Sequence, residues 1–307
     1  MSNVLNYLKS YISGLIYKTR YVSSYFSRQR FPLLNAEDTI NYIIEKRCSL
    51  SRFGDGEFKQ VYAYLTNGVG DSDIGFQKYN YRLAERLLEV LKSNLKGHEI
   101  GLPSPMFGKD VSKMKSFPRQ YWRNQSIKYF QMVKTLSCPG KIYLDSFFTR
   151  FYIDYKTNID KRKYLISLKK IWENRNVLIV EGLRTKLGVG NDLFSEACTI
   201  RRILCPPKDA FNSIDRIEDA IRSHVKQDDL VLVALGPTAT VISYDMAHYG
   251  IQTIDVGHID IEYEWMLRGT KHKIPIPGKY VNEARCDNDN DEVIDDVYLA
   301  QIIHNVN

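Results

Sequence analysis

Short apolar runs, each closed by glycine or proline and followed by a stretch of helical spacing, dominate the C-terminal half of the chain. Residues 176–182 (NVLIVEG), 201–207 (RRILCPP), 229–238 (DLVLVALGPT) and 251–260 (IQTIDVGHID) read as strands. The segment from Gly188 (GVGNDLFSEACTIRRIL) turns into a helix before the second of them; 214–225 carries a helical stripe, and 239–250 is a helix closed by Gly250. The N-terminal half is sparser. A helix is expected over about 36–46, capped by Asn35 or Asp38, then a short strand running into RFGDGEF, and a helix over about 58–65. Residues 81–95 form an amphipathic helix with Arg82, Glu85, Arg86 and Glu89 as charge pairs. Residues 98–105 and 141–148 read as further strands. Strands that are apolar throughout and alternate with helices predict an α/β fold, a mostly parallel sheet with helices on both faces. Ligands in such sheets sit beyond the carboxyl ends of the strands, where RFGDGE, EGLRTKLGVGND, GPT and GHIDIEYE all fall.

Before these elements, Val4, Leu5, Leu8, Tyr11, Ile12, Leu15 and Ile16 make a helical stripe over 3–18, followed by Tyr17, Tyr21, Tyr25 and Phe26 interleaved with arginine. Charge sharpens this picture. The chain carries a net +7, yet Lys9, Lys18, Arg20, Arg28 and Arg30, with no acid among residues 1–36, account for five of those charges. The rest is nearly neutral, which disfavours nucleic acid as a partner. Residues 1–36 therefore stand out as a basic amphipathic segment ahead of a single domain over 37–307. The segment reads either as a peripheral contact with an anionic membrane or as a helix packed on the domain or on a second subunit.

Composition narrows the class. With 44% hydrophobic and 26% charged residues in 307, the chain is an ordinary globular protein with no run long enough to span a bilayer. Five scattered cysteines without a CxxC pair argue against a disulfide scaffold or zinc ribbon and fit a reducing, cytoplasmic compartment.

Four clusters carry chemistry. In RFGDGEF, Asp55 and Glu57 at i and i+2 of an extended loop point the same way, and Gly54 permits close backbone approach to a ligand. The pair suits a hard divalent cation shared with a diphosphate, and Arg52 suits the phosphate; a plain solvated turn is the alternative. In GHIDIEYEW, a strand would put His258, Asp260, Glu262 and Glu264 on one face, whereas a helix would keep only His258 and Glu262 adjacent. His258 is the metal or phosphate candidate there, and Asp260 or Glu264 the general-base candidates. In GVGND, Asn191 and Asp192 suit a helix cap or a ribose contact. In LGPTAT, Gly236 and Thr238 stand at a strand-to-helix turn. The third glycine of a dinucleotide fingerprint is replaced by Leu193, which disfavours a nicotinamide-dependent oxidoreductase, and no P-loop, GxSxG or HExxH occurs. DNDNDE at 287–292 lacks the glycine and the bidentate glutamate of a calcium loop.

Taken in order, RFGDGE, VEGLRTKLGVGNDLF, RRILCPPKDAF, ALGPTATVISYDMAHYGIQTIDVGHIDIEYEW and GKYVNE resemble the GT-D-type bacterial glycosyltransferase domain over roughly residues 37–285. The resemblance implies a Rossmann-like fold and a metal-dependent enzyme that moves a hexose from a UDP-sugar to a glycan acceptor, a glycopeptide or lipid-linked oligosaccharide, in surface polysaccharide or glycoprotein assembly. It makes Asp55-Gly56-Glu57 the DxE motif that holds Mn²⁺ or Mg²⁺, with His258 a further metal contact. Arg52, Gly54, Asn191, Asp192, Gly236 and Thr238 become nucleotide contacts, and Asp260 and Glu264 activate the acceptor. The rival is a non-catalytic partner subunit of a transferase complex that keeps the fold; intact Asp55 and Glu57 speak against it.

Overall fold

The structure, a computed structural model, describes residues 19, 21–68, 75–156, 161–280 and 296–306. The predicted helix over 3–18 and the acidic run at 287–292 lie outside them. Eight strands, β1 (Ser49–Arg52), β2 (His98–Leu102), β3 (Leu144–Asp145), β4 (Asn176–Gly182), β5 (Thr199–Cys205), β6 (Leu230–Ala234), β7 (Thr253–Asp255) and β8 (Ile302–Asn305), form one sheet in the order β3-β2-β1-β7-β6-β4-β5-β8. Every pairing between them is parallel. All carboxyl ends therefore meet at one edge. At the β1–β7 junction the chain leaves β1 toward β2 and leaves β7 toward the far β8, so the loops diverge and open a crevice there.

The helices are α1 (Tyr25–Gln29), α2 (Ala36–Lys46), α3 (Asp55–Thr66), α4 (Tyr81–Leu91), α5 (Ser116–Leu136), α6 (Lys161–Lys169), α7 (Ile214–His224), α8 (Pro237–His248), α9 (Ile259–Leu267) and α10 (Asp296–Gln301). Two cores, one on each face of the sheet, follow from strand alternation. Leu178 and Val180 of β4 point into the core shared with α4, α5, α7 and α8, while Val177 and Ile179 point into the core shared with α2, α6 and α9. The expected parallel sheet, covered on both faces, is present. Asn35 is the cap of α2, accepting from the Asp38 N–H at 2.9 Å.

Two elements depart from the sequence pattern, and the segment ahead of the domain takes one of its two expected readings. Residues 183–198 are a series of turns, not a helix. Lys186, Gly188 and Gly190 take left-handed φ values of 47°, 74° and 76°. The polar groups of this stretch are met from outside: Trp172 Nε1 donates to the Leu193 carbonyl at 3.0 Å, Arg202 to the Leu187 carbonyl at 2.9 Å, and the Leu187 N–H to Glu181 at 2.6 Å. The α5 helix carries no sharp apolar contrast, yet Trp122, Ser126, Tyr129, Phe130 and Val133 bury one face of it. Residues 21–35 pack on the domain. Arg28 is fully buried, donates to Ser126 Oγ at 2.8 Å and the Tyr21 carbonyl at 2.8 Å, and stacks on the Tyr21 ring.

The turns after β4 hang on the buried Arg202–Glu181 pair, 2.6 Å apart with side chains 2% and 0% exposed. Removing one partner of such a pair leaves an uncompensated charge and costs about 3–5 kcal/mol. Arg202→Met should lower the urea midpoint accordingly, and pairing it with Glu181→Leu should recover part of the loss. Equal midpoints for wild type and Arg202→Met would refute the assignment.

Candidate functional site

The carboxyl edge opens into a cleft of about 770 Å³ at the β1–β7 junction. One end is RFGDGE. Gly54 caps α3, and Asp55 and Glu57 occupy its first turn, where the helix dipole favours carboxylates. This corrects the expectation of an extended loop, because the helix begins three residues earlier than predicted. At helical spacing the two side chains diverge. Asp55 Oδ2 accepts from the Tyr121 hydroxyl at 2.6 Å, and Glu57 Oε2 accepts from the Gly54 N–H at 2.6 Å, the half of a capping box that a glycine N-cap allows. Both still line the cleft.

Arg52 forms the floor. Its Nε donates to the Ser146 carbonyl at 2.9 Å and its Nη1 lies 3.5 Å from Asp255 at the end of β7. Asp255 in turn accepts from the Gly257 N–H at 3.0 Å. Gly257 has φ 48°, and a Cβ there would meet Arg52 Nη1 at 2.2 Å, so only glycine fits over this guanidinium. Burial, with Asp255 and Asp55 nearby, pushes Glu57 up to about 7, and burial pushes Asp255 up to about 6 against the pull of Arg52. Of these, Asp255 and Glu57 act directly on the Arg52 guanidinium. The rest of the cleft is largely basic: Lys115, Arg150, Lys271, His272 and Lys273 line it with Asp154. Lys115 Nζ donates to the Ile153 carbonyl at 2.7 Å and the Lys271 carbonyl at 2.9 Å, tying two loops together.

Residues 251–260 do not continue as a strand: β7 ends at Asp255 and α9 starts at Ile259, with His258 as its cap. His258 lines the cleft. Among the described residues, however, no three His, Cys, Asp or Glu side chains gather as a metal-ligand cluster, so His258 does not join Asp55 and Glu57 in a ready-made triad. The helix also separates the acidic residues by face. Asp260 and Glu264 sit one turn apart and share Lys279 Nζ, at 2.6 and 3.3 Å, and Asn191 Nδ2, at 2.8 and 2.7 Å. Burial raises Asp260; at Glu264 burial is outweighed by Asn191 and Lys279, and the group stays below its ordinary range. Neither lines the large cleft. Asp260 does line the smaller cavity beside it, and here both carboxyl groups accept from a network that holds residues 276–280 against α9, the setting in which the general-base expectation stands.

The remaining expectations divide. Gly54 and Gly236 line the cleft. Asn191 does not, being used in the network and in capping the Leu193 N–H at 3.0 Å. Asp192 faces outward to Lys169 at 2.9 Å and the Tyr263 hydroxyl at 2.5 Å, so the ribose contact expected of it is not formed at this edge. Thr238 is fully buried in the first turn of α8 and reaches neither the cleft nor its neighbour cavity. Sequence reasoning missed Tyr121, Arg150, Lys115 and Asp255; only Asp255, two residues before Gly257, sits inside a motif that was read.

Glu262, on the opposite face of α9, accepts from the N–H groups of Tyr152 and Ile153 at 2.9 and 3.0 Å and so anchors the loop bearing Arg150 and Asp154. Burial raises its carboxyl from 4.5 to about 7. Between those values the folded protein keeps a proton that the unfolded chain has released, so stability declines as pH rises through this window. Unfolding free energies measured from pH 4.5 to 8 should fall with pH. Glu262→Gln should flatten the slope by up to about 1.4 kcal/mol per pH unit; an unchanged slope would exclude Glu262 as its source.

A family model described as the glycosyltransferase GT-D fold matches residues 50–284. The chain is 36% identical over 267 residues to glycosyltransferase GlyD of Streptococcus pneumoniae serotype 4, covering 87% of this chain and 31% of that protein. It is 33% identical over 278 residues to the probable glycosyl transferase Gly of Streptococcus gordonii, covering 91% and 39%. It thus spans about a third of the length of the curated relatives it matches. Among solved structures, the domain of unknown function 1792, described as having a distinct glycosyltransferase fold, superposes with a TM-score of 0.83 at 31% identity, over 93% of this chain and 99% of that one. A new glycosyltransferase of the same domain type from Streptococcus sanguinis gives 0.80 at 32% identity, over 90% and 99%.

Proposed function

The chain belongs to the glycosyltransferase family with the GT-D fold, and on that premise we propose that it moves a hexose from a UDP-sugar to a glycan acceptor, with Mn²⁺ or Mg²⁺ engaged at Asp55 and Glu57. The observation that carries the reading is the DxE pair on the first turn of α3, lining a cleft at the topological switch of a parallel sheet. The donor set fits such a cation. Glu57 is pushed up by burial and by its carboxyl neighbours Asp255 and Asp55, the state that an added positive charge relieves, and Asp255 is pushed up by burial against the pull of Arg52. One or two carboxylates with substrate phosphates and water are what a magnesium-like ion requires of a protein. When bound, the ion supplies Lewis-acid neutralisation of charge on the departing UDP.

The chain's own groups position the reactants. Tyr121 fixes the rotamer of Asp55, and the Gly54 N–H fixes Glu57. Arg52, anchored by Asp255 and the Ser146 carbonyl, holds the cleft floor and lends positive charge beside the diphosphate. The basic residues Lys115, Arg150, Lys271 and Lys273 attract an anionic substrate into the cleft. The acceptor, a glycopeptide or lipid-linked oligosaccharide of surface glycoprotein or polysaccharide assembly, enters the same opening. Since residues 21–35 pack on the domain, a peripheral membrane contact by the basic segment 1–36 falls to the part ahead of them. Among the described residues no helix is long and apolar enough to cross a membrane, and a cytoplasmic enzyme at the inner face of the membrane fits this reading.

UDP release from a panel of UDP-sugars, with Mn²⁺ or with EDTA, tests the proposal. One donor should be turned over only with metal. Asp55→Asn should reduce the rate by about 100-fold or more, and Tyr121→Phe by about 10-fold, as expected for a ligand and for its orienting partner. No turnover of any donor, together with no metal-dependent UDP binding, would favour the non-catalytic partner instead.

A further inference from the structure

One wall of the cleft is built by α5. Phe117 stands in the first turn of this helix with 84% of its surface exposed, the most of any large apolar side chain among the described residues. Of the exposed large apolar side chains described, it alone lines the cleft. A scattered surface phenylalanine has no meaning by itself; here its neighbours give it one. Tyr121, four residues on, lies on the same face of the helix about 6 Å along the axis, and its hydroxyl holds Asp55 at 2.6 Å. Trp122 is buried and packs edge-on to Tyr121 and to Phe147, with ring centroids 5.6 and 5.1 Å apart. An aromatic wall thus runs from Asp55 to an open ring at the mouth. The start of α5 is also pinned. The Lys115 N–H donates to the Asp154 carbonyl at 2.9 Å, and Lys115 Nζ donates to the carbonyls of Ile153 and Lys271 at 2.7 and 2.9 Å. The turn that carries Phe117 is therefore fixed to two neighbouring loops.

We propose that Phe117 is the platform for the acceptor sugar: its ring stacks on the apolar face of a pyranose and presents a hydroxyl of that sugar to the donor held at Asp55 and Glu57. The inference rests on the donor reading above. The C–H groups on one face of a pyranose carry partial positive charge, and the face of an aromatic ring is its negative pole, so the two surfaces match in shape and in charge. An exposed phenyl ring also gains from any apolar surface that covers it. Position agrees. One helical turn separates Phe117 from the side chain that orients Asp55, which leaves room for a single sugar ring between the platform and the reacting centre. Polar partners for the sugar's hydroxyl groups line the same wall: Lys271 and His272 as donors and Asp154 as an acceptor. The recognised unit is the pyranose itself, common to a glycopeptide and to a lipid-linked oligosaccharide.

Acceptor-stimulated UDP release by the full chain tests this, with the donor it turns over and with octyl glycosides and N-acetylserine glycosides of glucose, galactose, N-acetylglucosamine and rhamnose as probes. At least one glycoside should raise release above the acceptor-free rate. Stimulation by the octyl form alone assigns the sugar to a lipid carrier, and by the seryl form alone to a peptide, each in support of the platform. Phe117→Ala and Phe117→Leu should raise the KM for that acceptor by about tenfold and lower the ratio of stimulated to acceptor-free release, whereas Phe117→Trp, which keeps a flat ring, should stay within about twofold of wild type. The side chain is exposed, so these variants should keep the wild-type melting temperature. An unchanged KM in Phe117→Ala, full function in Phe117→Leu, a parallel fall of stimulated and acceptor-free release, or no stimulation by any glycoside overturns the platform and leaves the donor reading intact. Release of UDP from no donor by wild type overturns the donor reading, and this assignment with it.

Discussion

Arg52 leaves the end of β1 with its guanidinium committed in two directions, to the Ser146 carbonyl just past β3 and to Asp255 at the end of β7. Asp255 is held in turn by the Gly257 N–H, and the space above the guanidinium exists because Gly257 has no side chain. The β1 and β7 segments lie about 200 residues apart in sequence, yet their ends must stay in register for a cleft to form between their diverging loops. The ion pair does this from inside the site, with side chains only 11% and 8% exposed. A partly desolvated pair of this kind is weak evidence for net stability. Its effect is to fix where the strand ends sit, and through them where α3 and α9 begin.

From that anchor the edge divides by chemistry. Carboxylates gather at the start of α3 and the end of β7, cationic side chains on the loops after β3 and α9, and apolar residues beyond β4, β5 and β6. A parallel sheet makes such a division natural, since each strand delivers its following loop to the same edge. Two loops that carry cleft residues depend on buried groups elsewhere: Glu262 holds the 150–154 loop by two backbone N–H groups, and Lys279 holds the segment after α9 through Asp260 and Glu264. The acidic residues of α9 thus tie down the loops that line the cleft.

Arg28 shows the same economy at the other end of the chain. A basic residue in a basic segment reads as a surface charge, but it is buried against α5 and stacked on Tyr21. Among the described residues of this region, Val22, Tyr25 and Phe26 remain exposed.

The parallel α/β class, most strands of the C-terminal half, and the place of Asp55 and Glu57 at a strand end were legible because they depend on local pattern: continuous apolar runs and glycine punctuation. The caps at Asn35 and Gly250 belong to the same kind of information. What the sequence left open depended on partners distant in the chain. That 183–198 is a series of turns and not a helix was settled with distant partners, Arg202 and Glu181 at Leu187 and Trp172 at Leu193, beside its own local turn bonds. That Asp260 is ion-paired was decided by Lys279, which a linear reading has no reason to place 2.6 Å away. Tyr121 reaches Asp55 from a helix 66 residues downstream. Local propensity is written in neighbouring residues, whereas a side chain's charge state and purpose are set by whatever the fold packs around it, and that information exists only in three dimensions.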